Sequence, residues 1–188
     1  MTKIIMNGCN GKMGQFITSI CKEDTEVEIV AGIDVYDGIK NDYPVFASIS
    51  ECDVEADVII DFSNAGAIDD LLVYSVEKEI PVVLCTTGLS EEQLAKVDKV
   101  AQSTAVLKSA NMSLGINTLM ELLKKAAVVF APAGFDMEIV EKHHNLKLDA
   151  PSGTALALAD AMKRIGLAEK TGRGIDRIAC RMEGYTLR

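Results

Sequence analysis

Three protonatable side chains, His143, His144 and Lys147, fall within five consecutive positions, and the two histidines are the only ones in the sequence. They close residues 136–142, where Met137, Ile139 and Val140 suit a β-strand. Consecutive strand side chains point to opposite faces, so the two imidazoles are expected to do different jobs, one facing a reacting atom and the other holding a ligand. Pro151 then breaks the chain, and Ser152-Gly153-Thr154 precedes an apolar-periodic run over 155–165. That run reads as a helix capped by Ser152. Free amides at such a start, together with the positive end of the helix dipole, suit an anion such as a carboxylate. The plainer alternative is a pair of surface histidines followed by an ordinary helix cap. Clustering of titratable groups favours the functional reading without deciding it.

Such a corner needs a scaffold, and the start of the chain supplies one. Residues 3–6 form a short apolar run, followed by Asn7-Gly8-Cys9-Asn10-Gly11-Lys12-Met13-Gly14 and a helical pattern at Phe16, Ile17, Ile20 and Cys21. The glycines fall as G-x-x-G-x-x-G, with Cys9 where the commoner dinucleotide fingerprint places its first glycine. Close backbone approach to a pyrophosphate is still permitted. Residues 27–33 supply the next strand and end at Asp34, which can accept hydrogen bonds from an adenosine ribose. A turn aspartate is the alternative. Asp34 disfavours a 2′-phosphate whereas Lys12 can reach one; the balance favours NADH, with dual use of NADPH open.

Further strands are expected at 57–62, 81–85 and 105–108, alternating with helices over 65–79 and after the Ser90-Glu91-Glu92-Gln93 capping box. This rhythm gives a parallel sheet with helices on both faces. Ligands collect beyond the carboxyl ends of such strands. Asp61-Phe62-Ser63, Cys85-Thr86-Thr87-Gly88 and Ser109-Ala110-Asn111-Met112 all lie there. Ser113 caps a further helix through Leu119, Leu122, Leu123 and Ala126, and Pro132 and Gly134 make the turn into the histidine segment. The domain division is therefore expected as 1–112 and 113–188, with a hinge near 111–113.

Composition narrows the classes. The chain has 188 residues, 48% of them hydrophobic with few aromatics, as in an α/β core of Val, Ile, Leu and Ala. A formal charge of −9 argues against nucleic acid, so any anion site must be local. Five cysteines at 9, 21, 52, 85 and 180 contain no C-x-x-C pair, which speaks against zinc or a disulfide framework; no metal site is expected. Reduced thiols, and no signal peptide or long apolar span, lead to a cytoplasmic expectation away from membranes.

The string over 139–155, with H-H-x-x-K-x-D-A-P-S-G-T-A running from His143 to Ala155, resembles the signature of the dihydrodipicolinate reductase family. D-F-S, T-T-G and A-N-M-S-x-G-x-N recur in the same order in that family. The resemblance implies a Rossmann-type, doubly wound parallel α/β sheet followed by an α+β domain for substrate and oligomerisation. It implies NAD(P)H-dependent reduction of 4-hydroxy-tetrahydrodipicolinate, a small cyclic dicarboxylate, in diaminopimelate and lysine synthesis. It makes His143 and Lys147 the proton-handling pair and gives the substrate carboxylates to His144, Gly153 and Thr154. Gly8, Cys9, Asn10, Gly11, Lys12, Met13, Asp34, Cys85, Thr86, Thr87, Ser109, Ala110, Asn111 and Met112 are then the cofactor-binding set.

The motif resemblance runs from residue 3 to about 165. Family members continue with more strands and an R-G-G-x-x-x-G-x-H stretch, whereas 166–188 offers at most one poor strand, over 175–187. A shortened second domain is therefore expected, and the family's homotetramer and full substrate enclosure do not carry over automatically. A catalytically impaired dinucleotide-binding remnant with an association role is the alternative. A semialdehyde or homoserine type of dehydrogenase lacks the histidine string.

Overall fold

The computed structural model describes residues 1–109, 111–135, 137–143 and 151–163. Two units divide the chain, Met1–Ser109 and Ala110–Arg188.

The first unit begins with β1 (Thr2–Asn7), α1 (Lys12–Glu23) and β2 (Val27–Ile33). It continues through β3 (Val45–Phe46), β4 (Val58–Asp61), α2 (Ile68–Lys78), β5 (Val82–Leu84), α3 (Glu91–Val100) and β6 (Val106–Lys108). The six strands are all parallel in the order β3-β2-β1-β4-β5-β6. The order reverses at β1, which makes the β1/β4 boundary the topological switch point, and the architecture is the doubly wound Rossmann type.

Alternation along β1 shows how the layers form. Ile5 belongs to one apolar cluster with Ile59, Val82 and Leu84 of the sheet, Leu71 and Leu72 of α2, and Val97 of α3. Its neighbours Ile4 and Met6 belong to the other, where Ile17 and Cys21 of α1 pack with Tyr43. Period-2 side chains thus bury both faces of the strand, as a parallel sheet requires.

Local signals set the helix starts. Ser90 accepts from the Gln93 amide at 3.2 Å while the Gln93 side chain accepts from the Ser90 amide at 3.1 Å, the expected capping box. The expected long helix over 65–79 instead starts as a 3₁₀ turn at Ala65–Ala67, where Asn64 accepts from the Gly66 amide. Two elements escape pattern reading: β3 at two residues is too short to show alternation, and Ile49–Glu51 is a single 3₁₀ turn.

The second unit contains α4 (Leu114–Phe130), whose Ser113 cap accepts from the Ile116 amide, and α5 (Gly153–Lys163). These two helices touch. Buried Ala127 on α4 and Ala155, Ala159 and Ala161 on α5 keep side-chain bulk low. The turn over 131–134 brings Phe130 and Phe135 edge to face, with ring centroids 5.3 Å apart.

One expectation fails here. Among the described residues, 137–143 is not a strand. The apolar spacing is present, but every ladder among the described residues lies within β1–β6, and spacing without a ladder does not make a strand. The opposite-faces argument for the two histidines therefore loses its basis. Helix α5 begins at Gly153, directly after the expected Ser152 cap, whose Oγ accepts from the Ala155 amide at 3.1 Å. Its expected end at 165, the proposed strand over 175–187, Ala110, His144 and Lys147 lie outside the described residues. No helix among those described is long and apolar enough to cross a membrane.

Candidate functional site

In the first unit the candidate residues gather at the carboxyl ends of the strands. The turn Gly8–Met13 joins β1 to α1 and is sewn to the end of β2, because the amides of Gly8 and Cys9 both donate to the Ile33 carbonyl, at 2.8 and 3.3 Å. Gly8 sits at φ +80°, and a Cβ there would stand 2.6 Å from the Phe62 carbonyl oxygen. At Gly14 a Cβ would meet the Gly8 carbonyl oxygen at 2.3 Å. Only hydrogen fits at either position, so the turn can stay tight against both β4 and its own helix.

Helix α1 opens at Gly11 without a side-chain cap, and Gly11, Lys12 and Met13 are exposed. The first amides of the helix are thus left for water or a ligand. Asp34, one residue past β2, takes the Asn10 amide on Oδ2 at 2.9 Å and the Tyr36 amide on Oδ1 at 3.0 Å. Each carboxylate oxygen has a further lone pair, so a ribose hydroxyl can still be accepted.

A side-chain chain behind this turn was not legible in the sequence. Gln15 Nε2 donates to the Cys9 carbonyl and to Asn41 Oδ1, both at 2.9 Å; Asn41 Nδ2 donates to Asn10 Oδ1 at 2.7 Å; Asn10 Nδ2 donates to the Tyr36 carbonyl. The turn after β1, the loop after β2 and the first turn of α1 are locked together before any ligand arrives. The residue spacing carries no signal for such a chain.

Cys9 is fully buried and packs where Gly32 of β2 leaves room, since a Cβ at Gly32 would lie 2.6 Å from Cys9 Sγ and 2.7 Å from the Tyr43 ring. Burial, then the Asp34 carboxylate, push its thiol up to about 11. Cys85, just past β5, is likewise pushed up to about 11 by burial and then by Asp61. Both are apolar packing groups at neutral pH.

Asp61 was placed from the sequence only in a loop where ligands collect, with no partner named for it. It is completely buried at the end of β4, and its Oδ1 takes Ser63 Oγ at 2.6 Å, Asn7 Nδ2 at 2.8 Å and the Ser63 amide at 3.2 Å. The buried atoms Asp61 Oδ2 and Thr86 Oγ1 have no hydrogen-bond partner among the described residues. Such orphans carry a desolvation cost that a polar ligand group or water can offset. Thr86 and Thr87 follow β5, and the Ser109 amide donates to the Leu84 carbonyl at 3.0 Å, placing that loop beside them.

In the second unit Asn111 Nδ2 donates to Thr154 Oγ1 at 3.0 Å and its Oδ1 accepts from the Ser113 amide at 2.8 Å, while Met112 is half exposed. The start of α4 is thereby tied to the start of α5. His143 Nε2 lies 2.8 Å from Glu141 Oε2, and Glu141 Oε1 accepts from the Ser152 amide at 2.8 Å. The imidazole, Gly153 and Thr154 therefore share one corner through Glu141, a residue not singled out from the sequence. Its separation of two from His143 was the available signal.

Known proteins supply an independent comparison. The family model "Dihydrodipicolinate reductase, N-terminus" matches residues 2–112, and "Dihydrodipicolinate reductase, C-terminus" matches residues 115–187. The second match corrects the estimate that the likeness ends near 165: the last stretch lacks the short signatures that a reader notices, yet still fits the family profile. A 4-hydroxy-tetrahydrodipicolinate reductase of Caldanaerobacter subterraneus subsp. tengcongensis is 51% identical over 174 residues, covering 90% of this chain and 66% of that protein. One from Clostridium novyi is 50% identical over 163 residues, covering 87% and 64%. The chain thus spans just under two thirds of the length of these relatives. The structure titled as dipicolinate-bound dihydrodipicolinate reductase from Paenisporosarcina sp. TG-14 has the same fold, with TM-score 0.73 at 24% identity over 97% of this chain and 78% of that one. With a strand order that reverses at β1, a glycine turn against β2 and matches along both units, the chain belongs to the dihydrodipicolinate reductase family.

Proposed function

We propose that the protein reduces 4-hydroxy-tetrahydrodipicolinate to tetrahydrodipicolinate with a reduced nicotinamide dinucleotide, in diaminopimelate and lysine synthesis. One substrate, one NAD(P)H and one proton give one product, one NAD(P)⁺ and one water. The observation that carries the reading is the turn at Gly8–Met13, with exposed first-turn amides on α1 beside the Asp34 carboxylate. These groups fit a dinucleotide: amides for the pyrophosphate, a carboxylate for the ribose. When bound, the reduced nicotinamide supplies the hydride.

The chain's own residues do the rest. The first-turn amides at Lys12 and Met13 receive the phosphates, Gly8, Cys9, Asn10 and Gly11 shape the turn that holds those amides in place, and Asp34 orients the adenosine ribose. Cys85, Thr86, Thr87, Ser109, Ala110, Asn111 and Met112 border the nicotinamide end, where the orphaned Thr86 hydroxyl suits a carboxamide. His143 and Lys147 handle protons. His144, Gly153 and Thr154 hold the substrate carboxylates, aided by the amides that open α5. NADH is the preferred cofactor, because Asp34 would repel a 2′-phosphate and the following residue, Val35, is 88% exposed without charge.

The test pairs steady-state reduction with NADH titration by fluorescence. His143→Ala or Lys147→Ala should cut turnover on the order of 10²-fold or more with NADH affinity nearly unchanged. Equal loss of NADH affinity in both would overturn the assignment of roles. NADH binding by the unaltered chain without turnover would overturn the reductase reading in favour of a binding remnant.

A further inference from the structure

Glu141 connects two things the proposed reaction needs held still. Its side chain is 12% exposed, and that of His143 is 26% exposed. One oxygen faces His143 Nε2 at 2.8 Å and the other takes the Ser152 amide at 2.8 Å. Ser152 in turn is buried and opens α5, with its hydroxyl accepting from the Ala155 amide at 3.1 Å and its carbonyl accepting from the Leu156 amide at 3.0 Å. A displacement of the carboxylate would therefore move both the imidazole and the helix start beside Gly153 and Thr154.

The contact also has a chemical sense. An ionised carboxylate can only accept, so the hydrogen between the two groups belongs to the imidazole and Nε2 is its carrier. The second nitrogen, Nδ1, is then the one available for proton exchange in either charge state of the ring.

We propose that Glu141 is a positioning residue that holds His143 as the Nε2–H tautomer and presents Nδ1 to the substrate. This rests on the reductase reading for its role in turnover, but its structural half stands by itself. During the reaction a proton enters or leaves at Nδ1 alone, while the hydrogen on Nε2 remains shared with Glu141. A bare structural tether between the segment 137–143 and α5 would need no particular tautomer.

The decisive measurement is the ¹⁵N spectrum of the imidazole rings in alkaline buffer, where free histidine is neutral. There are two histidines, and a His144→Asn variant assigns them. His143 should show a protonated Nε2 and a bare Nδ1 in the unaltered protein, a result that needs no Glu141 variant to fold. In Glu141→Gln the amide oxygen can keep the Ser152 contact while the NH₂ donates to the ring, so the tautomer should invert. Turnover should then fall on the order of 10²-fold, with KM for NADH unchanged and circular dichroism intact. Glu141→Asp keeps the charge and should recover Nε2–H with part of the activity. A native Nδ1–H ring, a tautomer indifferent to Glu141→Gln, or full turnover with an inverted ring would each overturn the proposal. An inverting tautomer in a chain that never turns over would support the structural half and refute the reductase reading.

Discussion

Asp34 and Cys85 show what individual side chains contribute and how each contribution can be measured. Asp34 already accepts from two backbone amides, so Asp34→Ala both strands the Asn10 and Tyr36 amides and removes the ribose acceptor. NADH affinity should fall about tenfold, equivalent to about 1.4 kcal/mol, and the preference over NADPH should shrink; titration with both nucleotides checks this. The thiols act on stability. Because burial raises the folded pKa of Cys9 and of Cys85 to about 11, above the unfolded value of about 8.5, the fold favours the neutral thiol. That contribution is fully present below the unfolded value and is lost as pH rises through the folded one. The urea midpoint should therefore decline between about pH 9 and 11, and less steeply in Cys85→Ala. Tyr74, pushed up to about 12 by burial and then by Cys52, titrates in both proteins and cancels in the comparison. Asp34 was legible because strand, turn and spacing point to it from nearby positions. Asp61 and Glu141 were not, since their meaning comes from Asn7, 54 residues away, and Ser152, 11 residues away.

Elements whose cause is local were readable, and those whose cause is a partner were not. The capping box at Ser90 needs only four consecutive residues and appears as expected. Ser90→Ala should cost about 1 kcal/mol, seen as a lower midpoint in chemical denaturation, with NADH affinity unchanged. The strand expected over 136–142 has the right composition, yet 137–143 carries none among the described residues. Alternation describes which faces an extended chain would present, whereas pairing depends on a neighbour that the segment itself does not encode. β3 makes the converse point: two residues with little pattern become a strand because the edge of β2 accepts them, through Gly32↔Val45 and Ile33↔Phe46.

In the first unit as a whole, β1 and β4 are the two central strands, each two strands away from the nearer edge, whereas β3 and β6 are the edges. Native-state hydrogen exchange should therefore be slowest at Ile5, Met6, Ile59 and Ile60 and fastest among strands at Val45–Phe46 and Val106–Lys108. The fit of Cys9 against Gly32 has a consequence for how the unit can vary. A methyl at position 32 runs into both the sulfur and the Tyr43 ring. Trimming position 9 to glycine removes the first obstacle and leaves the second. Gly32→Ala should thus be severe in the native background and partly rescued by Cys9→Gly, although each change is harmful when made singly. The two sites are bound into a shared inheritance: the sulfur in the turn forbids bulk on the neighbouring strand, and a descendant can enlarge one only after shrinking the other.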